Sequence, residues 1–380
     1  MKRIALVYFD AGGGHRNATM ALEAAIRQSN LPWEIQLVNL QEILDPIDFI
    51  RRYTGLRMQD VYNRMLQNGW TLGSTQLMRV LQGVIRIYHR KTVRLLERYW
   101  QGLRPDLVAS LVPHFNRDLC ESVRNACPGK PFVTILTDIA DYPPHFWIER
   151  QEQFLICGSE RAVEQARGLG HANERIFRTS GMILNPRFYN YSPIDRAAER
   201  TKVGLDARRM TGLVLFGGQG ARKKMLEIDR RLSQSGLEIQ LILICGKNER
   251  LLGELRAQAR PIPRLVEGFT TNMPYYMQLA DFFIGKPGPG SIAEALSMSL
   301  PVIVEKNAWT LPQERYNTVW VREKEVGLVV RNFATVVDAV AQLLEPETFA
   351  QFRCNAKKMH NRALFEIPDI LSGILSESNN

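Results

Sequence analysis

Short apolar runs that alternate with helical stretches occur in two series along the chain, and this pattern constrains the fold more than any other feature. The first series begins with IALVYF and comprises apolar runs at 4–9, 34–40, 106–111, 132–138 and 154–159. The second restarts with TGLVLFGG and comprises runs at 211–218, 238–246, 282–290 and 301–306. Strands that alternate with helices form parallel, doubly wound sheets. The sequence therefore predicts an α/β protein with two Rossmann-like domains.

A stretch rich in Pro, Asn and Tyr at 185–195 separates the two series and is typical of a linker. We predict an N-terminal domain of residues 1–188, a C-terminal domain of residues 189–355 and a helical tail of residues 356–380. Ligands of doubly wound sheets bind beyond the carboxyl ends of the strands. We therefore expect two parallel sheets that face a cleft, with the ligands in that cleft.

The cysteine pattern and the hydropathy of the chain indicate the cellular compartment in which the protein works. None of the five cysteines forms a CxxC pair or a cluster with zinc-ligand spacing, which favours reduced thiols in a reducing compartment. The N-terminus reads as a first strand rather than a signal peptide, because it runs directly into a Gly-rich turn. No apolar stretch approaches the ~20 residues of a transmembrane helix. We expect a cytoplasmic protein, soluble or peripheral on the inner face of the cytoplasmic membrane.

The basic charge of the chain is concentrated in one segment. The formal net charge is +10, and residues 46–105 hold eleven Lys and Arg against three acidic residues. Apolar residues between 77 and 99 recur at helical spacing beside a basic stripe of Arg86, Arg90 and Arg94. We predict that this helix, together with Trp70, lies on an anionic membrane and meets any substrate held there. The alternative is an ordinary amphipathic helix packed on the first domain.

A glycine-rich loop that ends in Gly14 and His15 follows the first strand and precedes a helix. Such a loop brings the backbone close to a ligand, and a histidine at its end is well placed as a general base. The alternative is that His15 only caps the helix or satisfies the loop. No D-x-D pair is present to chelate a metal–diphosphate, so we expect no metal. Asp138 and Asp141 are predicted to line an acceptor site, with Asp138 as a second catalytic candidate and Trp147 in the same acceptor set.

Three motifs of the second half indicate a nucleotide-sugar site. Gly217, Gly218 and Gly220 form a turn that suits a phosphate cradle but lacks the G-K-[ST] of a P-loop. Ser291 and Glu294 have capping-box spacing, although Glu294 could instead hold the two hydroxyls of a ribose. The amide and carboxylate of the Gln313–Glu314 pair suit sugar hydroxyls, and a plain surface loop is the alternative.

These motifs together resemble family 28 glycosyltransferases. The GGGH loop after strand 1, the GGxG turn, the stretch G-P-G-[ST]-I-A-E-A-L and the following P-x-Q-E carry the resemblance, which covers roughly residues 3 to 330. Within the family the chain is most similar to monogalactosyldiacylglycerol synthases and related diacylglycerol glycosyltransferases. The peptidoglycan enzyme that adds N-acetylglucosamine to a lipid-linked muramyl peptide is a more distant relative.

The resemblance implies a GT-B fold, inverting transfer from a UDP-sugar, a lipid acceptor and no cofactor, since the UDP-sugar is a substrate. It implies that His15 is the catalytic base. It assigns the donor to a set of residues that lie mostly in the second half: Gly14, Arg187, Gly217, Gly218, Gly220, Gly268, Phe269, Gly288, Gly290, Ser291, Glu294, Gln313 and Glu314.

Other functions stay open at this point. A transferase that moves N-acetylglucosamine from its UDP-sugar to a polyprenyl-linked acceptor would carry the same motifs. A UDP-sugar epimerase can share the two-domain fold without needing any lipid. A nucleic-acid-binding protein would explain the charge, but the sequence has no RNP or helix-turn-helix signature. We therefore expect no nucleic-acid partner.

Overall fold

The computed structural model describes residues 1–10, 14–48, 74–142, 146–218 and 220–377, and these residues form two units. The first unit comprises residues 1–186, 311–313 and 361–380, and the second comprises residues 187–310 and 314–360. Trp70, the loop residues 11–13 and Gln219 lie outside the described residues.

The sheet of the first unit has six parallel strands in the order β2-β1-β3-β4-β5-β6. Its strands are β1 (Lys2–Tyr8), β2 (Trp33–Asn39), β3 (Leu107–Ser110), β4 (Phe132–Ile135), β5 (Phe154–Cys157) and β6 (Ile176–Arg178). Side chains alternate between the two faces of a strand. Ile4 and Leu6 of β1 accordingly belong to one apolar cluster, and Ala5 and Val7 belong to another. The sheet is thus covered on both faces, as a parallel sheet requires.

Helices on both faces provide this cover. They are α1 (Gly14–Gln28), α2 (Leu40–Leu44), α3 (Ser74–Leu103), α4 (Asn116–Ala126) and α5 (Glu160–Gly168), with 3-10 turns at Asp45–Ile47 and Asn173–Arg175. Leu22 and Ile26 of α1 pack with Ile4 and Leu6 on one face. On the other face, the buried Trp100 of α3 donates a hydrogen bond from Nε1 to Ser122 Oγ of α4 at 2.9 Å.

The sheet of the second unit also has six parallel strands, in the order β12-β11-β10-β7-β8-β9. Its strands are β7 (Met210–Leu215), β8 (Ile239–Ile244), β9 (Arg264–Glu267), β10 (Phe282–Gly285), β11 (Val302–Glu305) and β12 (Gly327–Val330). Every residue of β8, β10 and β11 is buried, which explains why these strands stand out as apolar runs.

Helices follow the strands of this second sheet in the same alternating way. They are α6 (Arg196–Lys202), α7 (Arg222–Ser233), α8 (Glu249–Ala257), α9 (Met273–Leu279), α10 (Pro289–Ser297), α11 (Arg315–Glu323), α12 (Val336–Leu344) and α13 (Pro346–Lys358). Short 3-10 turns lie at Pro186–Phe188, Pro312–Glu314 and Phe333–Thr335. The turn at Pro312–Glu314 contains the pair predicted to contact the donor sugar.

The last helix, α14 (Ala363–Glu377), is part of the first unit. Its residues Ile367, Leu371 and Ile374 are buried in the cluster that contains Ile4 and Leu6. A separate helical tail of residues 356–380 is therefore not what the structure shows. The physical reason is that the apolar face of α14 completes the core beside α1.

The length and hydropathy of the helices decide whether any of them could span a membrane. Within the described ranges, no helix combines the length and apolar character that crossing a bilayer would need.

Candidate functional site

His15 lies in the first turn of α1, directly after Gly14. Its Nδ1 lies 2.9 Å from Thr137 Oγ1, just beyond the end of β4. Burial of the imidazole lowers the pKa of His15 from 6.5 to about 4, while a hydrogen bond with the backbone of Leu111 raises it. The ring is therefore neutral near pH 7 and able to accept a proton. A neutral histidine held at one nitrogen by a hydroxyl has the state that a general base needs.

Asp138 and Trp147 form a buried hydrogen-bonded pair beside His15. Trp147 is fully buried, and its Nε1 donates to Asp138 Oδ2 at 2.8 Å. The Trp147 backbone N–H also donates to Asp141 Oδ1 at 2.7 Å. The indole ring lies 5.7 Å from the His15 ring, measured between centroids. Trp147 thus packs against His15 with its side chain fully buried, and its place in the acceptor site stays a prediction.

A cleft of about 520 Å³ lies beside α3 and α4 in the first unit, and the sequence analysis did not predict it. His114, which lines the cleft, has a buried Nδ1 with no hydrogen-bond partner in the described part of the chain. Burial and, to a smaller extent, the charge of His15 lower the pKa of His114 to about 4. Burial also raises the pKa of Glu149 to about 7, against the charge of Arg117, which lowers it. The cleft therefore combines neutral and charged groups of both signs.

At this cleft, His89 of α3 lies between two carboxylate groups of α4. His89 Nδ1 lies 2.8 Å from Asp118 Oδ1, and His89 Nε2 lies 3.0 Å from Glu121 Oε2. Burial raises the pKa of Asp118 to about 6, although its hydrogen bond with His89 lowers it. Across the described ranges, no group of three or more His, Cys, Asp or Glu side chains is arranged to hold a metal ion.

The basic stripe of α3 is exposed, whereas most of the apolar residues of this helix are not. Arg86, Arg90 and Arg94 are all exposed. Val93, Leu96 and Trp100 are buried, and Leu96 and Trp100 pack in the cluster formed with the sheet and α4, so the C-terminal half of α3 packs as an ordinary amphipathic helix. The membrane role of this helix stays a prediction, and the burial of these three residues favours packing on the first domain for its C-terminal half. Two apolar side chains remain open near the arginines, Val80 at 63% and Ile87 at 80% exposure.

The glycine turn between β7 and α7 has a backbone that needs glycine. Gly217 and Gly220 have φ values of +74° and +63°, a region that other residues rarely adopt. A Cβ on Gly220 would also lie 2.7 Å from the Cys245 carbonyl oxygen. The Gly218 carbonyl accepts a hydrogen bond from the Lys247 N–H at 2.8 Å, which fixes the turn. The turn precedes the N-terminus of α7, where backbone N–H groups favour an anion.

The second glycine loop leads into α10. Gly288 is the residue before the helix, which begins at Pro289, and Gly290 and Ser291 lie in its first turn. The capping-box interpretation of Ser291 and Glu294 is therefore wrong, because Gly288 and not Ser291 occupies the N-cap position. Burial raises the pKa of Glu294 to about 7, although the residue as a whole is partly exposed. In the described residues, no hydrogen bond or ion pair reaches the Glu294 carboxylate, and burial is the sole cause of its pKa shift.

The Gln313–Glu314 pair lies in a buried 3-10 turn and not on a surface loop. Glu314 is 6% exposed, and its Oε1 lies 2.8 Å from Lys286 Nζ. Gln313 Oε1 is buried without a hydrogen-bond partner among the described residues. Asn317 Nδ2 donates to the Pro287 carbonyl at 2.8 Å, which ties α11 to the second glycine loop. Lys286 was not among the predicted donor residues, although a lysine directly after a buried strand and before a Gly/Pro loop is a signal that the sequence offers.

Arg187, Gly268 and Phe269 meet around one loop after β9. Arg187 donates a hydrogen bond from its guanidinium to the Thr271 carbonyl. Phe269 is 58% exposed, and Lys247 Nζ lies 5.4 Å from the centroid of its ring. The second unit thus places the predicted donor residues around the carboxyl ends of β7, β9 and β10, apart from Gly14 and Gln313.

By sequence, this chain is similar to known glycosyltransferases. The glycosyltransferase family 28 C-terminal domain matches residues 212–372. The chloroplastic monogalactosyldiacylglycerol synthase of Spinacia oleracea is 26% identical, over 91% of this chain and 67% of the relative. The chain spans about two thirds of the length of the curated relatives that it matches.

Two solved structures extend this comparison to the fold. Acinetobacter baumannii MurG superposes with a TM-score of 0.63 at 12% identity, covering 98% of this chain and 100% of that one. Anabaena Alr3699/HepE in complex with UDP and glucose gives a TM-score of 0.55 at 14% identity, covering 99% and 100%. The predicted α/β fold with two parallel sheets of GT-B type is confirmed, and so is the resemblance to family 28.

Proposed function

We propose that this chain, a glycosyltransferase with a family 28 C-terminal domain, transfers a hexose from a UDP-sugar to the hydroxyl group of a lipid. Diacylglycerol is the first candidate acceptor and galactose the first candidate sugar, because the curated relatives are named as monogalactosyldiacylglycerol synthases. The observation that carries the proposal is His15, a histidine held by Thr137 whose lowered pKa of about 4 keeps it neutral.

In the proposed reaction, His15 removes the proton of the acceptor hydroxyl as its oxygen attacks the anomeric carbon of the donor. The bond between that carbon and the β-phosphate oxygen breaks, and UDP leaves with the electron pair. The configuration at the anomeric carbon inverts because one displacement occurs. General base catalysis of this kind contributes about 10²–10⁴-fold to the rate. Asp138 acts by positioning, since its carboxylate holds Trp147 against the His15 ring.

The donor is assigned to the glycine loops of the second unit. The N-termini of α7 and α10 offer backbone N–H groups to the diphosphate. Glu294 suits the ribose, because a carboxyl group with a pKa of about 7 can both donate and accept hydrogen bonds near neutral pH. Gln313 suits a sugar hydroxyl, since its buried Oε1 lacks a hydrogen-bond partner within the described ranges.

Membrane attachment is assigned to the exposed stripe of α3. Arg86, Arg90 and Arg94 attract anionic headgroups, and each basic residue near such a surface contributes about 1 kcal/mol. The exposed Val80 and Ile87 lie on the same helix and add apolar contact with the lipid. We propose that the protein is cytoplasmic and binds the inner face of the cytoplasmic membrane through this stripe.

The test is incubation of the protein with UDP-galactose, UDP-glucose and UDP-N-acetylglucosamine in the presence of lipid vesicles, followed by mass analysis of lipids and nucleotides. Vesicles carry either diacylglycerol or a polyprenyl-linked acceptor. We expect a hexosyl-diacylglycerol and UDP, with activity that survives EDTA. A product that contains N-acetylglucosamine on the polyprenyl acceptor would favour the alternative transferase. An interconverted UDP-sugar without any lipid product would indicate an epimerase.

A further inference from the structure

Lys286 reaches the place where the two glycine loops of the second unit meet. It follows β10 directly, and β10 pairs with β7, the strand that leads into the first loop. A Cβ on Gly288 would lie 3.1 Å from Lys286 Cε, and a Cβ on Gly217 would lie 3.8 Å from the same carbon. The lysine stem therefore runs beside both loops, over the two glycines that leave room for it.

The ammonium group of Lys286 is paired with the Glu314 carboxylate. Lys286 Nζ lies 2.8 Å from Glu314 Oε1, and the side chains are 40% and 9% exposed. The same carboxylate oxygen lies 3.6 Å from the Cβ position of Gly288, so the ion pair itself borders the second loop. Glu314 adjoins Gln313 in the chain, and the proposed function assigns Gln313 to a hydroxyl of the transferred sugar.

We propose that Lys286 exchanges partners when the donor binds. Its ammonium group moves from the Glu314 carboxylate to the β-phosphate of the UDP-sugar, and Glu314 then accepts a hydrogen bond from a hydroxyl of the hexose. This inference rests on the proposed function, because it requires a nucleotide diphosphate donor. It assigns Lys286 the role of a catalytic residue that contacts the leaving group.

The negative charge that develops during the reaction explains how this exchange promotes catalysis. When the bond to the anomeric carbon breaks, its electron pair stays with the β-phosphate, which gains one negative charge, while the acceptor proton goes to His15. A cation placed on that phosphate stabilises the transition state more than the bound donor. The exchange also couples the two ends of the donor, since the sugar gains the Glu314 carboxylate only when the diphosphate has taken Lys286.

The first experiment measures binding of UDP and of uridine by calorimetry. Lys286→Gln is expected to weaken UDP binding about 10- to 100-fold, because a charge-assisted hydrogen bond is lost, and to leave uridine binding unchanged. Lys202→Gln is the matched control, since it removes an exposed lysine paired with Glu199 on α6. If Lys286→Gln bound UDP as tightly as the parent, the assignment of Lys286 would be wrong. A parent protein that binds no UDP at all would instead refute the proposed function itself.

The second experiment uses the variant Glu314→Gln. It distinguishes an exchange of partners by Lys286 from a purely structural role of the Lys286–Glu314 ion pair. Because Lys286 no longer has to leave a carboxylate, this variant is expected to bind UDP a few-fold more tightly. Its turnover with a UDP-hexose is expected to fall, since the neutral amide is a weaker partner for the sugar hydroxyl. Weaker UDP binding in Glu314→Gln, in a protein with an unchanged melting temperature, would overturn the exchange.

Discussion

Glu294→Gln is expected to stabilise the protein at alkaline pH and to weaken its binding of UDP. The carboxyl group of Glu294 has a pKa of about 7 in the folded chain against 4.5 for an ordinary glutamate, because burial disfavours its charged form. A group with a raised folded pKa contributes stability that is present below the unfolded pKa and lost as pH rises through the folded pKa. The loss therefore falls between about pH 4.5 and pH 7. Glutamine has nearly the same shape but never ionises, so it avoids that loss.

The size of the effect follows from the shift in pKa. A shift from 4.5 to about 7 corresponds to about 3.4 kcal/mol at 1.36 kcal/mol per pKa unit. Because the residue is partly exposed and water screens its charge, we expect a gain of about 1–3 kcal/mol at pH 8. At pH 5, where the folded carboxyl group is mostly protonated, the gain should be less than about 1 kcal/mol.

The assay is urea unfolding of the parent and variant at pH 5 and pH 8, with UDP affinity measured on the same samples. Glu238→Gln is the control, because the Glu238 side chain is 86% exposed and its substitution should show no such pH dependence. UDP affinity of Glu294→Gln should fall about 10-fold, since one charge-assisted contact with the ribose is weakened. Equal stability of parent and variant at both pH values would refute the reasoning about burial. Unchanged UDP affinity would refute the ribose contact.

Three further outcomes are expected from the first unit. His15→Ala should lower kcat about 10²–10⁴-fold without changing UDP affinity, and the parent activity should fall with acid only near pH 4, where the imidazole becomes protonated. Near-full turnover of the variant, or an acid limb at pH 6.5, would contradict the role of the base. Trp147→Phe should cost about 1–3 kcal/mol in urea unfolding, because its buried aspartate partner loses a donor; an unchanged midpoint would count against the pair. Replacing Arg86, Arg90 and Arg94 together with Glu should abolish co-sedimentation with anionic vesicles while UDP binding survives, and equal sedimentation of variant and parent would exclude the α3 stripe.

The interior of both sheets could be predicted from sequence, and their edges mostly could not. The three strands that the apolar runs did not indicate are β6, β9 and β12, and each lies at the edge of its sheet. Edge strands are covered less completely, so they need fewer apolar residues: β6 has no buried residue, and β9 and β12 have one each. β6 and β9 mix polar with apolar residues and β12 has only four residues, so none of the three stands out from a loop.

The site residues divide in a similar way. Glycines that need a positive φ, such as Gly217 and Gly220, could be identified from their spacing after a strand. The pairing of Lys286 with Glu314 could not, because 28 positions separate them in sequence and only the turn at Pro312–Glu314 brings the carboxylate back to β10. The burial of Trp147 could not be predicted either, because aromatic residues occur both in protein cores and at membrane surfaces.

The position of α14 has a consequence for synthesis of the chain. The first unit contains residues from both ends of the sequence, with Ile367, Leu371 and Ile374 in the same core as Ile4 and Leu6. Domains generally fold in order as they leave the ribosome. Here the N-terminal sheet emerges first, but the face that α1 shares with α14 remains only partly covered until residues 363–377 have been translated. The second unit has all of its residues by position 360, so it can complete its core before the unit that precedes it in the sequence.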